Sequence, residues 1–289
     1  MTTRTIRTPT VTFEALDDGS GPLVLCLHGF PDQAHSFRHQ MPVLAKAGFR
    51  VVAPCMRGYA PTSAPSDGRY DGMALGGDVI ALLDALEAET AVVFGHDWGA
   101  AATYFAALLA PARLRKIVTA AVPYGPALFR AFTTSASQAR RSWYIFFFQQ
   151  AIADTALAHD DFALIDRLVA EWSPGWDWPA EERERTKATF RAPGGVAAAL
   201  AYYRQTMGPA FADPAVLEAS ATAMTAPIDV PGLMLHGARD GCIGAELVPP
   251  MRAHFPRGLR VEIVDGAGHF VHQERPDVVN RLVLDFLGS

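Results

Sequence analysis

Residues 91–109 leave little freedom to the chain around them. Ala91-Val92-Val93-Phe94 is wholly apolar and of strand length, as in a strand buried within a parallel sheet, whereas Ala101 to Leu109 has helical composition and runs up to Pro111. Between them stands Gly95-His96-Asp97-Trp98-Gly99. A strand that becomes a helix within so few residues must bend sharply, and Gly95 and Gly99 omit the side chains that would hold the two backbones apart. Asp97 is at the apex. The spacing is that of a G-x-S-x-G nucleophile elbow with aspartate in place of serine.

That exchange narrows the chemistry. A serine hydroxyl has to lose a proton before it attacks, but a carboxylate, with an ordinary pKa of about 3.9, is already an anion at neutral pH. When it displaces a leaving group from saturated carbon it becomes an alkyl ester of the protein. A base is then needed for the second step, hydrolysis of that ester.

The order of elements fits one α/β core with an insertion, and 289 residues suit that arrangement. Val11 to Ala15 alternates like a half-exposed strand, Asp17 to Pro22 is a turn, and Leu23 to Leu27 is a buried strand, which together read as a hairpin. A helix is expected over Ala34 to Ala47, strands at Val51-Val52-Ala53 and Lys116 to Ala120, and an amphipathic helix through Leu75, Val79, Leu82, Leu83 and Leu86. Alternation of strand and helix predicts a mostly parallel sheet flanked by helices. From Pro123 to Ala226 the chain is aromatic and helical without a convincing strand. The expected division is therefore a core of residues 1–122 and 227–289 and a helical cap of 123–226. An insertion leaving the carboxyl end of a central strand roofs the edge at which ligands bind in open α/β sheets. Strands resume at Gly232 to His236 and Arg260 to Val264, and a helix over Pro276 to Leu287 closes the chain.

Charge and cysteine content remove several functions. A net charge of −5 without any Lys/Arg cluster offers nothing to nucleic acid. Cys26, Cys55 and Cys242 are far apart and odd in number, which argues against a disulfide framework or a zinc site, and Cys26 reads as a small buried hydrophobe. Residues 1–10 lack an apolar core of the signal type, and no apolar run approaches the ~20 residues of a membrane span. A cytoplasmic protein is expected.

Two further positions complete the elbow. His269 lies in the glycine-rich Gly266-Ala267-Gly268-His269-Phe270 after the last strand, and Asp240 follows the strand before it. Nucleophile, acid and histidine in that order is the chain order of α/β-hydrolase triads. Asp240 can orient the imidazole, and His269 can take a proton from the water that attacks the ester. Asp265 is the competing acid, but it sits on the same segment as His269 and reaches around the ring poorly. Ester hydrolysis passes through an oxyanion that needs two N–H donors. Trp98, next to the nucleophile, supplies one, and Phe30 in His28-Gly29-Phe30-Pro31 supplies the other.

With these motifs in order, the chain from Val11 onward resembles the α/β-hydrolase-fold epoxide hydrolases. The resemblance implies two cap tyrosines that hold the epoxide oxygen, one in an aromatic stretch ending Phe-Gln and one in a helix ending Tyr-Arg. Tyr144, ahead of Phe148-Gln149, and Tyr203, before Arg204, match these. A phenol, ordinarily neutral at pH 7 with a pKa of about 10, is acidic enough to donate to the alkoxide left by ring opening. A small apolar epoxide and water are the implied partners, with no metal or organic cofactor, no membrane span, and room for a homodimer. The loop Pro54 to Pro61 departs from the family, where an aspartate usually stands near Cys55 and a glycine near Ala60. A haloalkane dehalogenase, with Trp98 and Trp143 as halide donors, is the nearest alternative, and a non-catalytic receptor that keeps the pocket is a third.

Overall fold

The computed structural model describes residues 1–208 and 213–288. Its strands are β1 (Thr2–Arg7), β2 (Thr12–Gly19), β3 (Leu23–Leu27), β4 (Arg50–Pro54), β5 (Ala91–His96), β6 (Leu114–Ala120), β7 (Gly232–Gly237) and β8 (Leu259–Val264). They form one sheet in the order β1-β2-β4-β3-β5-β6-β7-β8. β1 and β2 run antiparallel to their neighbours and the rest are parallel. β3, β5 and β7 are buried along their whole length, as strands covered by helices on both faces must be.

The expected hairpin does not form. β2 pairs with β1 and β4, and β3 lies on the far side of β4. Residues 2–7, polar except for the buried Ile6, make the edge strand that β2 pairs with. The expected helix at 34–47 is also broken, into a single turn of 3₁₀ helix at Ala34–Phe37 and the short α1 (Met41–Lys46). Its apolar residues have helical spacing because both pieces pack on the sheet.

The core helices α2 (Gly72–Ala85) and α3 (Trp98–Leu109) pack on each other, and α11 (Val271–Glu274) and α12 (Pro276–Gly288) finish the chain. Between β6 and β7 come α4 (Ala127–Thr134), α5 (Ala136–Arg141), α6 (Trp143–Phe147), α7 (Ile152–Trp172), α8 (Ala180–Arg191), α9 (Gly195–Met207) and α10 (Pro214–Ala223), with no strand among the described residues. This is the helical cap. α7 is interrupted by a left-handed turn, with φ of 47°, 49° and 62° at Asp160, Asp161 and Phe162. Non-glycine residues resist that conformation. Its cost is offset where Phe162 buries against Phe190 and Asp161 pairs with Arg191 at 2.6 Å and Lys187 at 3.3 Å.

The loop after β4 is fixed from inside. Arg57 is 2% exposed, and its guanidinium grips Asp78 of α2 through two hydrogen bonds of 2.6 and 2.7 Å. Its backbone carbonyl accepts from Tyr202 Oη of α9 at 2.8 Å, which ties the cap to the core. Asp78→Ala leaves the buried Arg57 guanidinium only the more exposed Asp67, at 3.5 Å, as counter-charge and should destabilise the fold by about 3 kcal/mol. A lower urea midpoint at unchanged denaturant slope is the expected reading.

Candidate active site

Asp97 sits where β5 turns into α3, with φ 53° and ψ −116°. A non-glycine residue held in that region costs about 1–3 kcal/mol, and the surroundings must enforce it. They do so by close approach. A Cβ on Gly95 would lie 2.1 Å from the Gly99 carbonyl oxygen, and one on Gly99 would lie 2.0 Å from that of Leu27. The elbow therefore presses directly against β3.

The end of β3 carries the loop that meets Asp97. Phe30 N–H donates to Asp97 Oδ1 at 2.7 Å. His28 braces this loop: its Nε2 accepts from Met56 N–H at 2.8 Å, so the proton is on Nδ1, which donates to the Gly29 carbonyl at 3.0 Å. A Cβ on Gly29 would overlap Asp97 Cβ and Oδ1 at 2.3 Å. Only glycine lets the loop pass there.

β7 and β8 end beside the elbow. His269 Nδ1 is 3.0 Å from Asp240 Oδ2, and Nε2 is 3.5 Å from Asp97 Oδ2. Asp240 Oδ1 accepts from the N–H groups of Cys242 and Ile243 at 2.7 and 2.9 Å, which leaves Oδ2 to the imidazole. Asp265, the competing acid, is exposed.

From the cap, Tyr144 on α6 and Tyr203 on α9 bring their rings to 5.8 Å from each other, and Tyr203 stands edge-on to Trp98 at 5.0 Å. With Asp97 and Trp98 they line a cavity of about 270 Å³ whose other walls are mostly apolar. Tyr144 Oη lies 3.3 Å from Cys242 Sγ. Tyr203 Oη and Trp98 Nε1 are buried with no hydrogen-bond partner among the described residues. Both residues line the same apolar cavity as the Asp97 carboxylate.

Residues 22–276 match the alpha/beta hydrolase fold family. An epoxide hydrolase of Caballeronia sordidicola is 32% identical, over 98% of this chain and 92% of that one. Epoxide hydrolase A of Mycobacterium tuberculosis is 33% identical, over 95% and 92%. The crystal structure of epoxide hydrolase A from Mycobacterium thermoresistibile superposes with a TM-score of 0.85 at 32% identity, covering 100% of this chain and 98% of that one. The chain belongs to the α/β-hydrolase-fold epoxide hydrolases.

Electrostatics in this epoxide hydrolase favour one ion pair. Burial pushes the Asp97 carboxyl up, but His269 and the Phe30 N–H more than reverse this and hold it below the usual carboxylate range. Burial likewise opposes charge on His269, and Asp240, with help from Asp97, lifts it well above an ordinary histidine. Three other buried histidines surround that ring or its acid. His96 is 5.0 Å from it between centroids, His272 is 4.5 Å from His96, and His236 Nε2 is 3.6 Å from Asp240 Oδ2. Burial lowers all three, His96 to about 3, so they stay neutral.

Several residues were not evident from the motifs. Cys242, which meets Tyr144, could have been noticed as lying two positions beyond Asp240. Trp172, whose ring is 5.2 Å from His269 and 4.8 Å from Tyr144, carries no sequence signal because its place depends on where α7 ends. Trp143 lies elsewhere: its indole N–H points to Glu171 at 3.5 Å and its ring stacks under Arg167.

Gly29→Ala should move the Asp97 carboxylate by about an ångström and lower kcat by about 100-fold or more. Circular dichroism of the variant should match the parent, since the displaced group belongs to the site and not to the core.

Proposed function

We propose that the enzyme converts a small apolar epoxide and water to a vicinal diol through a covalent ester on Asp97. The convergence of a buried carboxylate and two phenols on one apolar cavity carries this reading. Asp97 Oδ1 is engaged by Phe30 N–H, so Oδ2 is the oxygen that attacks. It forms a bond to a ring carbon as the ring C–O bond breaks. Tyr144 and Tyr203 bind the departing oxygen, and one of them gives it a proton.

Burial raises both phenols well above their ordinary pKa, and the negative charge of Asp97 adds to this. They are thus full proton donors at any pH the enzyme meets. In the second step His269, oriented by Asp240, takes a proton from water. The hydroxide adds to the carbonyl carbon of the Asp97 ester, and the N–H groups of Phe30 and Trp98 receive the oxyanion. Collapse expels the diol oxygen, which takes back the proton His269 removed from water, while the second water proton, left on the Asp97 carboxyl, passes to the phenolate and so regenerates both carboxylate and phenol. Halide displacement would need N–H donors around the leaving group, and Trp143 is turned away from the cavity.

Asp97→Asn should abolish turnover of styrene oxide, whereas His269→Gln should still form the ester and stall, visible as a mass increase equal to one substrate. Normal turnover by either variant contradicts the scheme. Tyr144→Phe and Tyr203→Phe should each lower kcat/KM by about 10²–10⁴-fold for epoxides. Bromoalkanes offered beside them should release no halide.

The acid limb has a defined sign. Ester formation needs ionised Asp97, whose pKa is lowered, while ester hydrolysis needs neutral His269. Alkylation erases the Asp97 charge and removes one of the interactions that raise the imidazole pKa. As pH falls, hydrolysis should fail before alkylation. Single-turnover mass spectrometry should therefore find ester accumulating on the acid side of the optimum and none at the optimum.

A further inference from the structure

The cavity extends to one side of the reacting groups. From Asp97 and the two phenols it runs along α3, past the turn after β6, and between α4 and α10, where Phe105, Pro126, Leu128, Phe129, Leu217 and Met224 line it. Asp97 is the only charged side chain among the described lining residues. A substituent lying here must be neutral and mostly apolar, because an anion would meet both low dielectric and the carboxylate.

Behind the phenols the space is filled by rings. Phe30 is the hub, with centroids 5.6 Å from both Phe148 and Tyr203, 5.7 Å from Phe190 and 6.1 Å from Trp172. Trp172 closes the remaining gap against Tyr144 and His269. Phe30, Phe148, Trp172 and Phe190 are all buried, and none of them lines the cavity. The wall is made of mutual edge-on and tilted ring contacts, so shifting one ring disturbs several others.

The lining away from the phenols comes largely from α3, α4 and α10, and none of the four wall rings belongs to it, so a substrate with its ring oxygen between the phenols and one ring carbon over Asp97 would place its substituent on that side. We propose that the enzyme is built for terminal epoxides bearing a single apolar substituent, and that the aromatic wall of Phe30, Phe148, Trp172 and Phe190 excludes trans-1,2-disubstituted ones. This rests on the epoxide-hydrolysing function proposed above. In a trans epoxide the two groups leave the ring in opposite directions, so one of them must enter the wall. In a terminal epoxide the wall meets only hydrogen.

Two isomers of one composition separate shape from hydrophobicity. With 1,2-epoxyoctane and trans-4,5-epoxyoctane, kcat/KM of the parent enzyme should favour the terminal isomer by about 100-fold or more. Phe190→Ala opens the wall from behind and should narrow that ratio at least tenfold by raising turnover of the trans isomer. Phe190→Leu, a milder change, should move it the same way and serves if the alanine variant does not fold. Comparable turnover of both isomers by the parent enzyme would overturn the inference while leaving epoxide hydrolysis intact. A strong terminal preference that neither variant alters would overturn the wall as its cause. Turnover of neither isomer, nor of styrene oxide, would instead sink the functional reading and this inference with it.

Discussion

The 2.7 Å hydrogen bond from Phe30 N–H to Asp97 Oδ1 makes demands on the rest of the core. To form it, the loop after β3 must reach the apex of the turn after β5. That requires β3 and β5 to be adjacent and in register, as Leu27 is with Gly95. It also requires Gly29, Gly95 and Gly99 to carry no side chain, since each would place a Cβ within 2.3 Å of another atom. Asp97 pays for this approach with a left-handed backbone. The strain is local, and the buried strands on either side supply the stiffness that maintains it.

A second constraint is the separation of charge. Four buried histidines crowd the region behind Asp97, and only His269 has two carboxylates at its nitrogens. The others bond to neutral groups, His96 to the His269 carbonyl and His272 to Ser36 Oγ, or lie farther from Asp240, as His236 does. The positive charge is thus confined to the ring that touches both acids. The cap contributes to this as well. The carbonyl of Trp172, at the end of α7, accepts from the backbone N–H of both Gly241 and His269, so one cap helix secures the loops that present Asp240 and His269.

Short-range features of the sequence carried much of this architecture. The Gly-x-Asp-x-Gly bend, the apolar strands and the order of Asp97, Asp240 and His269 are all local patterns, and a parallel sheet turns such local order into a spatial cluster at one edge. Pairing along the sheet edge was less legible. Residues 2–7 bury only Ile6 and so hardly announce a strand, which left the next strand in sequence, β3, as the evident partner for β2. The aromatic wall was hidden for a different reason: Phe30, Phe148, Trp172 and Phe190 come from four separate segments, and a phenylalanine in a helical cap reads as core whatever it packs against. The left-handed turn in α7 also escapes, because His159 to Phe162 contains no glycine to mark it.

In the proposed reaction the Phe30 N–H acts differently in the two steps. Before alkylation it is bonded to a full carboxylate, which stabilises the ground state and slows attack. Once Asp97 is an ester the same oxygen is a weaker acceptor, and it regains a full charge only when hydroxide has added. The donor therefore favours the second transition state over the state before it and works against the first. Ring opening must then draw its advantage from elsewhere. The two phenols fit that need, because Tyr203 Oη has no hydrogen-bond partner among the described residues and its interaction with a departing alkoxide is not already spent on one of them. The division follows from geometry: the N–H group at the elbow suits ester hydrolysis, and the hydroxyls in the cap suit opening of the ring.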